Sequence, residues 1–280
     1  MISSNPENQP KLPYNATVLH DLTYVKDGHL RQRLDLYLPS AAAPAPLIVW
    51  IHGGAFRMGS KDDGVPVEYL SAGCAIASIN YRLSQHALFP AQIEDCKAAV
   101  RWLRAHAVEY HLDAERFAAW GPSAGGHLAA MLGTAGGERR FEVGKGLGYS
   151  SKVCAVVDYY GPTDFSQMDS HRLPEGMLHD TPDSPESELV GGAIQQHPQR
   201  VAEANPITYV SKDAPPFLIV HGDRDPLVPY HQSQLLAAAL EKAGVTVRLY
   251  TVKGAGHGGF TDPRVPELTH AFLTKHLGLT

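Results

Sequence analysis

A serine, an aspartate and a histidine stand far apart in this chain of 280 residues, each inside a short run of small or turn-forming residues. Ser123 lies in WGPSAGGH (120–127), Asp225 in HGDRDPLVP (221–229) and His257 in GAGHGGF (254–260). A serine hydroxyl is a poor nucleophile until a base takes its proton. A histidine can be that base when a carboxylate holds its Nδ1–H and stabilises the imidazolium. The three residue types together therefore suit acyl transfer through a covalent serine intermediate. Taken singly, each has a plainer reading: a helix-capping serine in a Gly-rich turn, an Asx turn, and a solvated loop histidine.

Context strengthens the first reading. Gly121-Pro122-Ser123-Ala124-Gly125 fits G-x-S-x-G between a strand-like RFAAW and a helical AGGHLAAMLG. A tight strand-to-helix turn throws the serine outward, and the flanking glycines remove side chains that would collide. The helix start adds free N–H groups and a positive dipole end. HGDRDPLVP follows the strand-like FLIV, so its loop leaves the sheet at the same edge. Asp223 and Asp225 compete for the acid role; Asp223 reads as a turn residue and Asp225 is preferred. A fourth run, IHGGAF (51–56), follows LIVWIH. Gly53 and Gly54, with Ala124 beyond the serine, offer backbone N–H donors to an oxyanion, each donor contributing about 3 kcal/mol. His52 reads as a structural hydrogen-bonder.

These loops need a sheet to hold them. LIVWIH (47–52), AIASIN (75–80), RFAAW (116–120), VCAVVDYY (153–160), FLIVH (217–221) and VRLYTV (247–252) are short, mostly continuous apolar runs, as in strands covered on both faces. Helical segments are predicted between them at 91–111, 124–133, 231–243 and 264–277. In the first, Ile93, Cys96, Val100, Leu103 and Ala107 form one stripe behind Pro90. Residues 16–38 read as a hairpin turning at Asp27-Gly28. In its second strand Leu34, Leu36 and Leu38 face the dry side, and Arg33, Asp35 and Tyr37 the wet side. Residues 1–14 read as a flexible arm and 15–280 as one α/β domain. A polar excursion at 164–206, with helical hints at 186–191 and 197–204, passes over the sheet.

The composition excludes several classes. Net charge is −5, with no basic field to hold nucleic acid or an anionic membrane. No run is long enough to span a bilayer, and the N-terminus lacks the apolar core of a secretory signal. The chain therefore reads as cytoplasmic, although a removed signal leaves no trace. Cys74, Cys96 and Cys154 sit in apolar stretches and read as buried thiols. The fifteen histidines are scattered, so no metal tract is indicated, and the chemistry needs no cofactor. The expected partner is a small-molecule ester; the oligomeric state is not legible.

The order Ser…Asp…His on alternating strands and helices is that of α/β-hydrolases. HGGAF, INYRLS, FPAQIEDCKAAVRWLRAHA, GPSAGGHLAA, PPFLIVHGDRDPLVPYHQS and GAGHGGF resemble the hormone-sensitive-lipase-like carboxylesterases. RLDLYLP and HGDRDPLVP point to the branch resembling bifunctional feruloyl and acetyl-xylan esterases (BD-FAE-like). The resemblance runs from about residue 16 to the C-terminus. It implies an α/β-hydrolase fold with a mostly parallel sheet and an N-terminal antiparallel hairpin. It also implies Ser123 as nucleophile, His257 as base, Asp225 as orienting acid, and an oxyanion hole of Gly53, Gly54 and Ala124. Two departures are visible. Ala55 replaces a third glycine, and there is no large helical cap, which argues for an open site and against long acyl chains. The implied substrates are short or aromatic acyl esters on carbohydrate. Phe56, Tyr159, Tyr160, Phe165 and Phe260 are candidates to line a pocket. A small-molecule amidase on the same three residues and an inactive ligand-binding homologue are the rival readings.

Overall fold

The computed structural model describes residues 12–279 apart from 14 and 41. The expected arm over 1–14 lies almost wholly outside the described residues. The strands are β1 (Thr17–Thr23), β2 (Arg33–Leu38), β3 (Ala45–Ile51), β4 (Ala75–Ile79), β5 (Leu112–Pro122), β6 (Ala155–Tyr159), β7 (Phe217–Gly222) and β8 (Val247–Val252). They form one sheet in the order β1-β2-β4-β3-β5-β6-β7-β8. The β1-β2 and β2-β4 pairs are antiparallel and every later pair is parallel. The α-helices are α1 (Ala91–Ala105), α2 (Ala124–Thr134), α3 (Pro185–Val190), α4 (Pro198–Ala204), α5 (His231–Lys242) and α6 (Arg264–Leu277).

The continuous apolar runs are explained by cover on both faces. Along β3, Leu47, Val49 and Ile51 join the core that also holds Ile93, Val100 and Leu103 of α1 and Leu236 and Leu240 of α5. Ile48 and Trp50, pointing the other way, join Leu273 and Leu277 of α6. Each fully buried aliphatic side chain contributes about 1.5–3 kcal/mol, so a strand with two dry faces is anchored twice over.

Three expectations are corrected. β1 and β2 pair as predicted, but nine residues join them (24–32), and Asp27, at φ 60°, is one bend within that longer connection. β2 has no wet face: Asp35 is as buried as Leu34 and Leu36, because Lys61 Nζ and His20 Nδ1 reach it at 2.8 and 2.7 Å. Helix α1 stops at Ala105 rather than at 111. The Ala107 N–H bonds the Arg104 carbonyl, three residues back instead of four, and His111, at φ 55°, redirects the chain into β5.

Candidate active site

β5 ends at Pro122 and α2 begins at Ala124, so Ser123 alone makes the turn. Its φ is 55° and ψ −122°, a left-handed conformation that costs a residue with a Cβ about 1–3 kcal/mol. The surroundings enforce it. The Ser123 N–H donates to the Tyr159 carbonyl at 2.7 Å, and the Ser123 carbonyl accepts from the His127 N–H at 3.0 Å. A Cβ on Gly125 would lie 2.0 Å from the Ile51 carbonyl oxygen, and one on Gly121 would lie 2.4 Å from the Gly125 carbonyl carbon. Glycine at both places lets the start of α2 press against the end of β3.

His257 sits in the loop between β8 and α6. Its Nε2 lies 3.0 Å from Ser123 Oγ, and its Nδ1 lies 2.6 Å from Asp225 Oδ2. A carboxylate only accepts, so Nδ1 carries the proton and Nε2 is left to accept from the hydroxyl. The His257 side chain is 17% exposed and the Asp225 side chain fully buried. Asp225 Oδ1 accepts from the Leu227 and Val228 N–H groups, and Oδ2 accepts a second imidazole N–H from His221. Burial by itself would raise the Asp225 pKa, but the bonds from His221 and His257 outweigh it and hold the carboxyl well below its ordinary value of 3.8. Asp223 plays a different part. Its Oδ1 accepts the Gly254 N–H at 2.6 Å and ties down the start of the His257 loop.

Gly53 packs directly on the serine; a Cβ there would meet the Pro122 carbonyl oxygen at 2.9 Å and the Ser123 Cβ at 3.5 Å. Gly54 follows at φ 111°, and its carbonyl accepts from Arg57 and Met58. Among the described residues neither the Gly53 nor the Gly54 N–H has an acceptor. Ala124 supplies the first amide of α2. His52 is buried and stacks on Tyr81. Its Nδ1 donates to the Gly53 carbonyl and its Nε2 accepts from Arg31. Burial, with Arg31 adding to it, lowers its pKa to about 4, so it holds the glycine loop as a neutral ring.

A cleft of about 240 Å³ opens at Ser123 and His257. Phe56, Ala124 and Pro162 line it. So do Met177, His179, Pro185 and Glu186, from the 164–206 excursion. Of the aromatic candidates, Phe56 reaches the cleft. Tyr160, at φ 44°, packs its ring 4.6 Å from that of His257. Phe165 goes instead to the core, stacked on His127. Tyr159 and Phe260 pack beside each other and against Tyr160. The three cysteines are free thiols, Cys74 and Cys96 buried and Cys154 half-buried. Sequence reasoning missed His221, although it opens the HGDRDPLVP run, and missed His179 and Glu186, which no spacing singles out.

The chain is similar to known esterases in sequence and structure. Esterase LipC of Mycobacterium tuberculosis is 32% identical over 219 residues, covering 77% of this chain and 53% of that protein. The chain thus spans little more than half the length of that relative. A structure described as a truncated form of carbohydrate esterase from gut microbiota superposes with a TM-score of 0.86 at 32% identity, covering 96% of this chain and 100% of the other. Thermogutta terrifontis esterase 2 phosphonylated by sarin superposes with a TM-score of 0.76 at 26% identity, covering 98% and 99%. The fold is that of the α/β-hydrolase esterases. The BD-FAE family model matches residues 34–240, from β2 into α5, and over that span the chain belongs to the BD-FAE family.

Proposed function

We propose that this protein is a carboxylic ester hydrolase working through a serine acyl-enzyme, with Ser123 as nucleophile, His257 as base and Asp225 as orienting acid. The observation that carries the reading is the single imidazole bridging Ser123 Oγ at 3.0 Å and Asp225 Oδ2 at 2.6 Å. Ser123 Oγ attacks the ester carbonyl while His257 Nε2 takes its proton. The charge that develops on the carbonyl oxygen is met by the N–H groups of Gly53, Gly54 and Ala124. Collapse breaks the bond to the alcohol, which leaves with the proton from Nε2. Water then repeats the sequence on the acyl-enzyme and releases the acid.

The substrates proposed are short-chain or aromatic acyl esters borne on carbohydrate. The small cleft and the carbohydrate esterase among the structural neighbours support that class. Residues 15–280 are taken to act as one unit, with the 164–206 segment serving as a cleft wall rather than a cap. Among the described residues no helix is long and apolar enough to cross a membrane.

A panel of p-nitrophenyl esters of rising chain length, acetylated sugars and feruloyl esters tests the proposal. Wild type is expected to turn over the short esters and to lose activity as the chain lengthens. Ser123→Ala is expected to abolish turnover while the protein stays folded. A phosphonate should label wild type at Ser123 and leave the variant unlabelled. Turnover retained in Ser123→Ala removes the reading.

A further inference from the structure

The cleft wall contributed by the 164–206 segment carries a charged pair that the reaction above does not use. His179 and Glu186 both line the cleft and are only 1% and 3% exposed. His179 Nδ1 lies 2.8 Å from Glu186 Oε2, and its Nε2 lies 2.9 Å from the Leu227 carbonyl oxygen. Both partners only accept, so both ring nitrogens carry protons and the ring is an imidazolium. Burial works against that charge, but the bond from Glu186 and the nearby Asp169 outweigh it and raise the His179 pKa. The pair is firmly seated. The His179 N–H donates to Asp169 Oδ1 at 2.7 Å, and Glu186 stands in the first turn of α3, which Ser184 caps.

His179 occupies one oxygen of the carboxylate. The other, Glu186 Oε1, takes no hydrogen bond among the described residues and is not sealed off inside the protein. Because Oε1 is open to solvent and Glu186 lines the cleft, a hydroxyl on a bound ligand can take the place of water as its donor. Ser123 and Glu186 line the same small cleft, so a group bonded to an ester at Ser123 lies between those walls. A short acyl chain brings no O–H. A polyhydroxylated alcohol brings several.

We propose that Glu186 is a specificity-determining residue whose free Oε1 accepts a hydroxyl group on the alcohol part of the ester, with His179 as the positioning residue that turns it into the cleft. The assignment rests on the ester-hydrolase reading. It favours a sugar alcohol over an alkyl alcohol of the same size by matching an unpaired acceptor with a donor. A site built to bond a hydroxyl discriminates strongly against the analogue that lacks it.

The test compares two acetates of secondary ring alcohols, methyl xyloside monoacetate and cyclohexyl acetate. The readout is the ratio of their kcat/KM values. Wild type is expected to favour the xyloside by about tenfold or more. In Glu186→Gln the amide oxygen stays on the His179 Nδ1–H and an N–H₂ replaces Oε1 at the cleft, so the ratio should fall about tenfold, mainly through a higher KM for the xyloside. If the single variant fails to fold, the double variant His179→Leu/Glu186→Met removes both charges together and leaves neither unpaired. A wild-type ratio near one overturns the assignment. So does a folded double variant whose ratio stays within about twofold of wild type. Loss of cyclohexyl acetate turnover in Ser123→Ala reads the hydrolase proposal separately, because that substrate carries no hydroxyl for Glu186.

Discussion

Asp225 and Asp158 sit at the carboxyl ends of neighbouring parallel strands, and both are shut away from solvent at 2% and 0% exposure. Their surroundings differ in one respect, the number of donors. Asp225 takes two backbone N–H groups and two imidazoles. Asp158 takes the Gly161 N–H on Oδ1, and among the described residues its Oδ2 has no partner. Burial pushes the Asp158 carboxyl up to about 7, against the pull of that one bond, while Asp225 is held below its ordinary range. Equal burial thus gives one carboxylate fit to hold an imidazolium and one that is largely protonated below neutral pH. The donors decide the charge, and only the charged one lies against His257.

Changing the donors is the way to break this contrast. The largest effect is expected from Asp225→Asn, which removes the charge and lets the amide favour the wrong His257 tautomer. It should cost about 10³- to 10⁴-fold in kcat on a short p-nitrophenyl ester. His221→Phe takes away one imidazole donor and keeps the charge. A fall of about tenfold, in kcat rather than KM, is expected, with an unchanged circular dichroism spectrum. An effect on KM alone would show that His221 does not act through the acid.

Asp158 is best read through stability. Its raised pKa means the folded protein holds a proton that the unfolded chain has released between 3.8 and about 7. Its contribution is therefore present below 3.8 and lost as pH rises through about 7. Asp225 has the opposite sign: its contribution is present above 3.8 and lost as pH falls. Asp158→Asn should flatten the decline of Tm between pH 5 and 8 and raise Tm at pH 8 by about 5 °C. A Tm difference between Asp158→Asn and wild type that fails to grow from pH 5 to pH 8 would contradict the assigned sign. The smallest effect is expected from Asp223→Ser, where a hydroxyl can still accept the Gly254 N–H. Its kcat should stay within about threefold of wild type.

Ser123, Asp225 and His257 were each legible because each is set in its own local motif. G-x-S-x-G, HGDRDPLVP and GAGHGGF state turn geometry through glycine and proline within a few residues. Six of the eight strands were legible for the same reason, since short apolar runs between helical stripes describe a buried parallel sheet, and β1 and β2 were legible as a hairpin. The failures share the opposite cause. Asp35 looked solvent-facing because alternation describes one strand, whereas its partners Lys61 and His20 come from elsewhere in the chain. Phe165 looked like a pocket residue until the stack on His127 claimed it.

The sequence by itself determined the strand-helix alternation, the strained turn at Ser123 and the preference for Asp225 over Asp223, because each follows from backbone geometry and residue chemistry over a short span. Only the tertiary structure decided that His221 shares Asp225 with His257, that Asp158 is buried with an oxygen unpaired, and that His179 and Glu186 wall the cleft. Those depend on which distant donors and acceptors the fold brings into bonding range. No spacing along the chain encodes that, because hydrogen bonds and burial are set by neighbours in space.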